Sequence, residues 1–371
     1  MKVVFDAYWW VSGPPSLRHV LREIVFAWSQ QFPLDELTLV VRSSHQTEAA
    51  VDTPPHAAIR TSPLWPQALL AVMAVPAIAA DVDADLVLTH NFAASTRSRS
   101  LSAVYLHDVL FATNPEWFTF AERQYFSSML RWIRRADIVF TSSVNESTRI
   151  ANNARPRAVL PVGLGLSTEL IDANAQHDPD PDLTPGSFLL TVGRLNSRKN
   201  LATVIAAALQ SGRVSPEHPL VIVGSPDGRR EPLGSAAEQA RTAGSIRFTG
   251  FVTEERLRWY YSTTSLFVFL SLGEGFGMPP VEAAHFGAPT LVSDLPVFHE
   301  NLGQHASYVD PRDVGAIAAA IAGVIDKSES STPPRAVRTS IAVQHDWRET
   351  VRAMRSYAAP RIAMTELAVD R

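Results

Sequence analysis

The chain has 371 residues, 46% of them hydrophobic and 19% charged, with 33 basic against 37 acidic side chains and a formal net charge of −4. That is apolar material for two buried cores, which excludes global disorder, and without a basic excess nucleic acid is excluded as a default partner. Cysteine is absent, which excludes disulfides, thiolate metal sites and cysteine nucleophiles and fits a cytoplasmic location. The first apolar run stops at Asp6 after four residues at most, too short for the core of a secretory leader. Strands are predicted at residues 2–5, 37–41, 86–89, 103–106 and 138–141, with helical patterns at 16–31 and 116–135 between them. Residues 64–80 come closest to a membrane span, but they carry Pro66, Gln67 and Pro76 and read as a buried helix. Further strands are predicted at 188–192, 220–223, 246–249, 266–270, 290–292 and 307–309. Helices at 200–210, 254–261, 281–286 and 314–326 alternate with them. Residues 327–334 are polar and read as a surface loop.

Repeated strand–helix units imply α/β architecture with parallel sheets covered on both faces. One segment, 177–186, is rich in Pro and Asp. Proline fixes φ and lacks an amide donor, so an extended connector is predicted there. It divides the chain into 1–176 and 187–345, two doubly wound domains. Folds of this kind bind ligands beyond the carboxyl ends of their strands.

The segment with the most chemistry is 270–287. A predicted strand runs into Gly273, Glu274, Gly275, Phe276 and Gly277, then Met278, Pro279 and Pro280 open an Ala-rich helix that stops at Gly287. Glycines allow a tight backbone and close ligand approach, proline suits the first helical turn, and amides at a helix start favour an electron-rich ligand. Two carboxylates, Glu274 and Glu282, bracket the loop. Taken alone, Glu282 reads as a helix-dipole partner and Glu274 as a loop carboxylate.

Taken together, these residues resemble the signature of the family 4 retaining glycosyltransferases of GT-B fold, in which two Rossmann-like domains face each other across a cleft. The family pattern is Glu, seven residues, Glu, with a glycine loop and Pro-Pro between, as Glu274 and Glu282 stand here. Gly193-Arg194 with Lys199-Asn200, Gly250-Phe251-Val252-Thr253-Glu254, and Ala288-Pro289-Thr290 are similar to the flanking family elements. The match is specific over 187–310 and looser before it. The resemblance implies roles. Arg194 and Lys199 bind the diphosphate of a nucleotide-sugar donor, Arg as a planar fork and Lys as a point charge. Glu282 accepts the ribose hydroxyls, and Glu274 faces the hexose. The amides of Phe276, Gly277 and Met278 reach the sugar, and Val252 touches the base. Arg198 reads as ordinary surface charge. Residues 346–371 resemble the family helix that crosses back to the first domain.

In the first half, Gly13 replaces the family's glycine-rich turn near the β-phosphate. Tyr8, Trp9 and Trp10 read equally as a stacking platform or as core. His107, beside Asp108 at a strand end, matches the family histidine that hydrogen-bonds the donor hexose. Asp81, Asp83 and Asp85 form Asp-x-Asp patterns but precede a strand, so they read as a turn. No metal ligand set is predicted, and transfer is expected to be metal-independent with no further cofactor. Arg131, Arg134 and Arg135 suit a helix end or an anionic membrane. The resemblance implies a retaining, front-face hexosyltransferase, mannose slightly favoured. It acts on a saccharide or lipid-linked acceptor in cell-surface polysaccharide or glycolipid synthesis, in the cytoplasm or at the inner membrane face as a peripheral protein. A sugar-nucleotide epimerase and a non-catalytic GT-B partner subunit remain as alternatives.

Overall fold

The computed structural model describes residues 1–94, 100–172, 174–225, 234–328 and 341–369. Of the predicted loop 327–334, residues 329–334 lie outside them. The chain divides into two compact units, one made of Met1–Thr113, Phe120–Gly165 and the residues from His345 onwards, the other of Asn114–Thr119 and Leu166–Gln344.

The first unit holds seven strands: β1 (Lys2–Asp6), β2 (Glu36–Arg42), β3 (Ala57–Ser62), β4 (Leu86–His90), β5 (Leu101–Tyr105), β6 (Ile138–Thr141) and β7 (Val159–Pro161). They pair in parallel in the order β3-β2-β1-β4-β5-β6-β7. Strands β4, β5 and β6 are buried throughout, and such strands read as continuous apolar runs. The two that sequence analysis missed lie at the edges. β3 alternates between half-buried and exposed residues until Ser62, and β7 is three residues ending in Pro161, so neither presents such a run.

Two expectations are corrected here. The helix predicted at 116–135 is divided into a 3₁₀ turn, Pro115–Trp117, and helices Phe120–Ser127 and Met129–Ile133. Phe118 is extended (φ −114°, ψ 148°) and breaks the run. Residues 64–80 are helical from Gln67, but only one face is buried. Leu70, Ala71, Val75 and Ala79 are covered, whereas Trp65 (68% exposed), Leu69 and Met73 meet solvent. Leu69 and Met73, four residues apart in the helical run, share its outward face, and Trp65 precedes it.

The C-terminal helix Trp347–Val369 packs along Pro15–Gln31 in the first unit. Asp35 pins the two: it binds Arg355 at 2.9 and 3.0 Å and accepts the Trp28 indole N–H at 3.0 Å.

The second unit holds β8 (Leu189–Val192), β9 (Leu220–Val223), β10 (Ile246–Gly250), β11 (Leu266–Phe269), β12 (Thr290–Ser293) and β13 (Ser307–Val309). The order is β10-β9-β8-β11-β12-β13, all parallel. Leu189, Ile222, Leu266, Val268 and Leu291 form its core with Val204, Ile205 and Ile317 from the covering helices. The chain travels outward from β8, then returns to build the other half from β11. The crevice between β8 and β11 is therefore the topological switch point, the usual ligand position in an open α/β sheet. The Pro- and Asp-rich segment carries neither helix nor strand, as its prolines dictate. It is tied to helix Glu254–Thr263 by Arg256 on Asp178 (2.8 Å), by the Tyr260 hydroxyl on Asp180 (2.6 Å) and by Gly186 N–H on the Thr263 carbonyl (2.7 Å).

Candidate active site

The polar residues that the sequence singled out in the second unit gather at this switch point. After β8, Gly193 (φ 150°) turns the chain into Arg194, and a 3₁₀ turn, Ser197–Lys199, leads into helix Leu201–Gln210. Gly224, after β9, approaches so closely that a Cβ there would lie 1.9 Å from the Gly193 carbonyl oxygen. After β11 comes the loop of Ser271 to Gly277, then helix Met278–His285. Gly277 adopts φ 87°, and a Cβ there would lie 2.4 Å from the Phe298 ring. Because Pro279 and Pro280 lack amide protons, the donors at this helix start are the amides of Gly277 and Met278. Asn301 Nδ2 holds the Phe276 carbonyl at 2.8 Å.

Glu274 is the hub. Its side chain is 8% exposed. Lys199 Nζ lies 2.7 Å from Oε1, and Arg198 Nη1 2.5 Å from Oε2. Ser271 donates to Oε1 at 2.6 Å, and Ser293 donates to the Ser271 carbonyl at 2.7 Å. Burial opposes the carboxylate's charge, but Arg198 and Lys199 outweigh it and hold the pKa down to about 2. Lys199 shows the opposite balance. Burial, helped by the charges of Arg198 and Arg194, outweighs Glu274 and lowers its pKa to about 8. Its ammonium also lies 4.3 Å from the centre of the Phe269 ring. In the same turn, Asn196 Oδ1 and Ser197 Oγ are buried without a hydrogen-bond partner among the described residues.

The sequence expectation for Arg198 is overturned. Its side chain is only 15% exposed and is committed to the loop, so it is no ordinary surface charge. Nothing in a local Arg-Lys pair distinguishes a solvated cation from one that finds its partner 76 residues further along.

Glu282, in the helix after the loop, accepts the Tyr261 hydroxyl at 2.8 Å. Burial raises its pKa to about 7, against that hydrogen bond and with help from the Glu254 charge. Val252 follows Gly250 (φ 72°) at the end of β10 and is half-buried beside exposed Phe251. Arg194 is exposed.

Gly13 and His107 belong to the first unit. Gly13 (φ 125°) packs under the Trp9 ring, where a Cβ would lie 2.0 Å from Cε3. Tyr8 and Trp10 are buried, which settles them as core. His107 follows β5 and lies against two buried polar rings, His90 at 5.9 Å between ring centres and Tyr105 at 5.0 Å. Neither His90 nitrogen nor the Tyr105 hydroxyl has a hydrogen-bond partner among the described residues. Burial lowers the His90 pKa to about 4, so that ring is neutral. Sequence analysis missed Glu146, fully buried three residues after the helix cap Ser143. It accepts Val109 N–H at 2.8 Å and pairs with Arg149, fixing the turn that carries His107. The Asp-x-Asp residues precede β4, where Asp85 accepts Lys2 N–H at 2.7 Å. Arg134 caps the Ala154 carbonyl at 2.7 Å, and Arg135 lies over Trp132 at 4.2 Å.

A sheet switch point holding buried cations, an ionised carboxylate and a glycine loop at a helix start is an arrangement suited to an electron-rich ligand in an α/β protein. Residues 176–336, somewhat under half of the chain, match the family model described as Glycosyl transferases group 1, and the two parallel α/β units have the GT-B fold. Over 202 residues it is 30% identical to the serotype-specific mannosyltransferase WbdA of Escherichia coli, covering 52% of this chain and 25% of WbdA. Over 139 residues it is 32% identical to the O-antigen chain mannosyltransferase RfbU of Salmonella typhimurium, covering 37% and 38%. The matches thus span well under two thirds of these relatives. Among solved structures, sucrose-phosphate synthase from Thermosynechococcus elongatus is similar over 100% of this chain and 99% of that one (TM-score 0.65, 17% identity). Anabaena HepE, solved with UDP and glucose, is similar over 97% and 100% (TM-score 0.64, 15% identity).

Proposed function

We propose that this chain is a retaining hexosyltransferase that moves a sugar, mannose by preference, from a nucleotide sugar to a saccharide or lipid-linked acceptor in surface polysaccharide synthesis. The observation that carries the reading is the Arg198–Glu274–Lys199 cluster at the switch point. A buried ammonium with a pKa near neutrality, next to a glycine loop, is suited to a diphosphate. The mannose preference rests on the mannosyltransferase names of WbdA and RfbU.

In this reading Lys199 and Arg194 stabilise the departing nucleoside diphosphate, side-chain cations standing where other enzymes use a metal ion. Glu274 orients the hexose hydroxyls and Glu282 the ribose diol. The Phe276, Gly277 and Met278 amides reach the sugar, and Val252 touches the base. The resemblance assigns Gly13 to the phosphate and His107 to the hexose, and those roles are proposed with it. The acceptor attacks the face that the diphosphate leaves, and the leaving phosphate takes its proton. The protein would act in the cytoplasm, at the membrane face where a lipid-linked acceptor is presented.

The test is a thermal-shift panel of GDP-, UDP- and dTDP-sugars with and without magnesium, since a bound ligand stabilises the folded state by mass action. One donor class should raise the melting temperature without magnesium. Lys199→Ala and Glu274→Ala should each lower transfer more than about tenfold while remaining folded. Wild-type rates in both variants would refute the site, and conversion of donor without acceptor would replace transfer by epimerisation.

A further inference from the structure

The turn after β8 and the loop after β11 are laced together by more than the Lys199–Glu274 pair. Leu272 N–H donates to the Arg198 carbonyl at 2.9 Å. Arg198 Nη1 donates to the Gly273 carbonyl at 2.7 Å while it meets Glu274 Oε2. Asn200 Nδ2 reaches the Leu270 carbonyl at 3.2 Å. Each oxygen of Glu274 therefore has its own cation. The two cations are not equivalent. Arg198 is fixed to the loop by its backbone and by its planar fork. Lys199 is a point charge on a flexible stem, lying over Phe269 with its Cε 3.3 Å from where a Gly193 Cβ would stand. Two cations facing one carboxylate leave the cluster electropositive, and Arg194 adds to that charge. An arriving diphosphate would draw the cation that can move.

We propose that Arg198 is a positioning residue that keeps the Glu274 carboxylate ionised and aimed while Lys199 passes from Glu274 to the donor diphosphate. This rests on the donor reading above. It explains how one carboxylate can be neutralised at rest yet serve the hexose when the donor is bound. Without Arg198, the hand-over would take from the buried Glu274 carboxylate both of the cations that lie 2.7 and 2.5 Å from its oxygens, which is costly.

The groups facing Lys199 are Glu274, Arg198 and Arg194, with the Phe269 ring beneath. The Arg198 charge pushes the Lys199 proton off, so removing it makes Lys199 harder to deprotonate. Calorimetric titration of the full chain with GDP and with UDP, from pH 6 to 10, reads this directly. In the wild type, binding should weaken as pH rises through about 8. In Arg198→Gln that alkaline limb should move up by about one pH unit. Turnover of the bound donor class, read as release of its nucleoside diphosphate, should fall at least about tenfold, while diphosphate affinity near pH 7 changes less than about threefold. Arg198→Lys keeps the charge and loses the fork. Its limb should stay in place, with turnover recovered only in part. An unmoved limb or wild-type turnover in Arg198→Gln overturns the proposal. If that variant does not fold, wild-type turnover in Arg198→Lys overturns it and reduced turnover with an unmoved limb supports it. Loss of binding in Lys199→Ala with no effect of Arg198→Gln would refute Arg198 alone. Wild-type protein that binds neither diphosphate would refute the donor reading and this proposal with it.

Discussion

Replacing Glu274 by Gln keeps the shape of the hub and removes its charge. A carboxyl held at about 2 instead of its ordinary 4.5 contributes about 3 kcal/mol to folding at neutral pH. The sign follows from the depressed value. The contribution is complete above pH 4.5 and is lost as pH falls through about 2. Lys199, lowered from 10.5 to about 8, costs about as much at pH 7. The pair is thus close to neutral for stability, as buried ion pairs often are. Removing only the anion breaks that balance and leaves two cations in a closed site, so Glu274→Gln should destabilise the second unit by about 3 kcal/mol at pH 7. The penalty should shrink towards pH 9, because Lys199 without its carboxylate sheds its proton more easily. Urea titration of the full chain, read by hydrogen-exchange mass spectrometry on peptides across 266–285, follows this unit specifically. A penalty below about 1 kcal/mol at pH 7, or one that grows with alkali, would refute the electrostatic account.

Two further outcomes are expected. Glu282, with a pKa raised by burial to about 7, favours folding when protonated, a contribution present below pH 4.5 and lost as pH rises through about 7. As a carboxylate it is the better acceptor for a ribose diol. Calorimetric affinity for GDP should therefore strengthen from pH 5.5 to 7.5 by up to about tenfold per unit, and Glu282→Gln should flatten that limb; a pH-independent wild type would contradict the assignment. Gly224→Ala would force a methyl group to within 1.9 Å of the Gly193 carbonyl at φ 140°, and should cost about 3 kcal/mol or more, seen as a lower urea midpoint for the second unit; an unchanged midpoint would show that the Gly193 turn yields freely.

Much of the fold is legible because parallel strands buried on both faces must be apolar throughout: Leu220–Val223 and Leu266–Phe269 have few other readings. The edge strands Ala57–Ser62 and Val159–Pro161 escape notice because an edge needs no such run. In the site, Glu274 and Glu282 are marked by glycines, prolines and fixed spacing within one strand–loop–helix unit, and Lys199 by the Gly-Arg turn and Lys-Asn helix start of another. Arg198 and Glu146 carry no such mark. One is half of a dipeptide that looks solvated, and the other completes a Ser-x-x-Glu pattern that reads as a simple helix cap. Each gains its meaning from a partner distant in the chain, Glu274 for Arg198 and Val109 for Glu146. Tyr261, the partner of Glu282, is hidden for the same reason.

The first unit is assembled from stretches on both sides of the second, and its helix Pro15–Gln31 packs against Trp347–Val369. On the ribosome, the second unit is almost complete in the nascent chain before that last helix emerges. Domains fold largely as they are made, so the cluster around Glu274 can form while the first unit still lacks its closing helix. Until then the surface that receives Trp347 and Met354 stays uncovered, a foothold for chaperones and a point at which truncated products would be recognised and degraded.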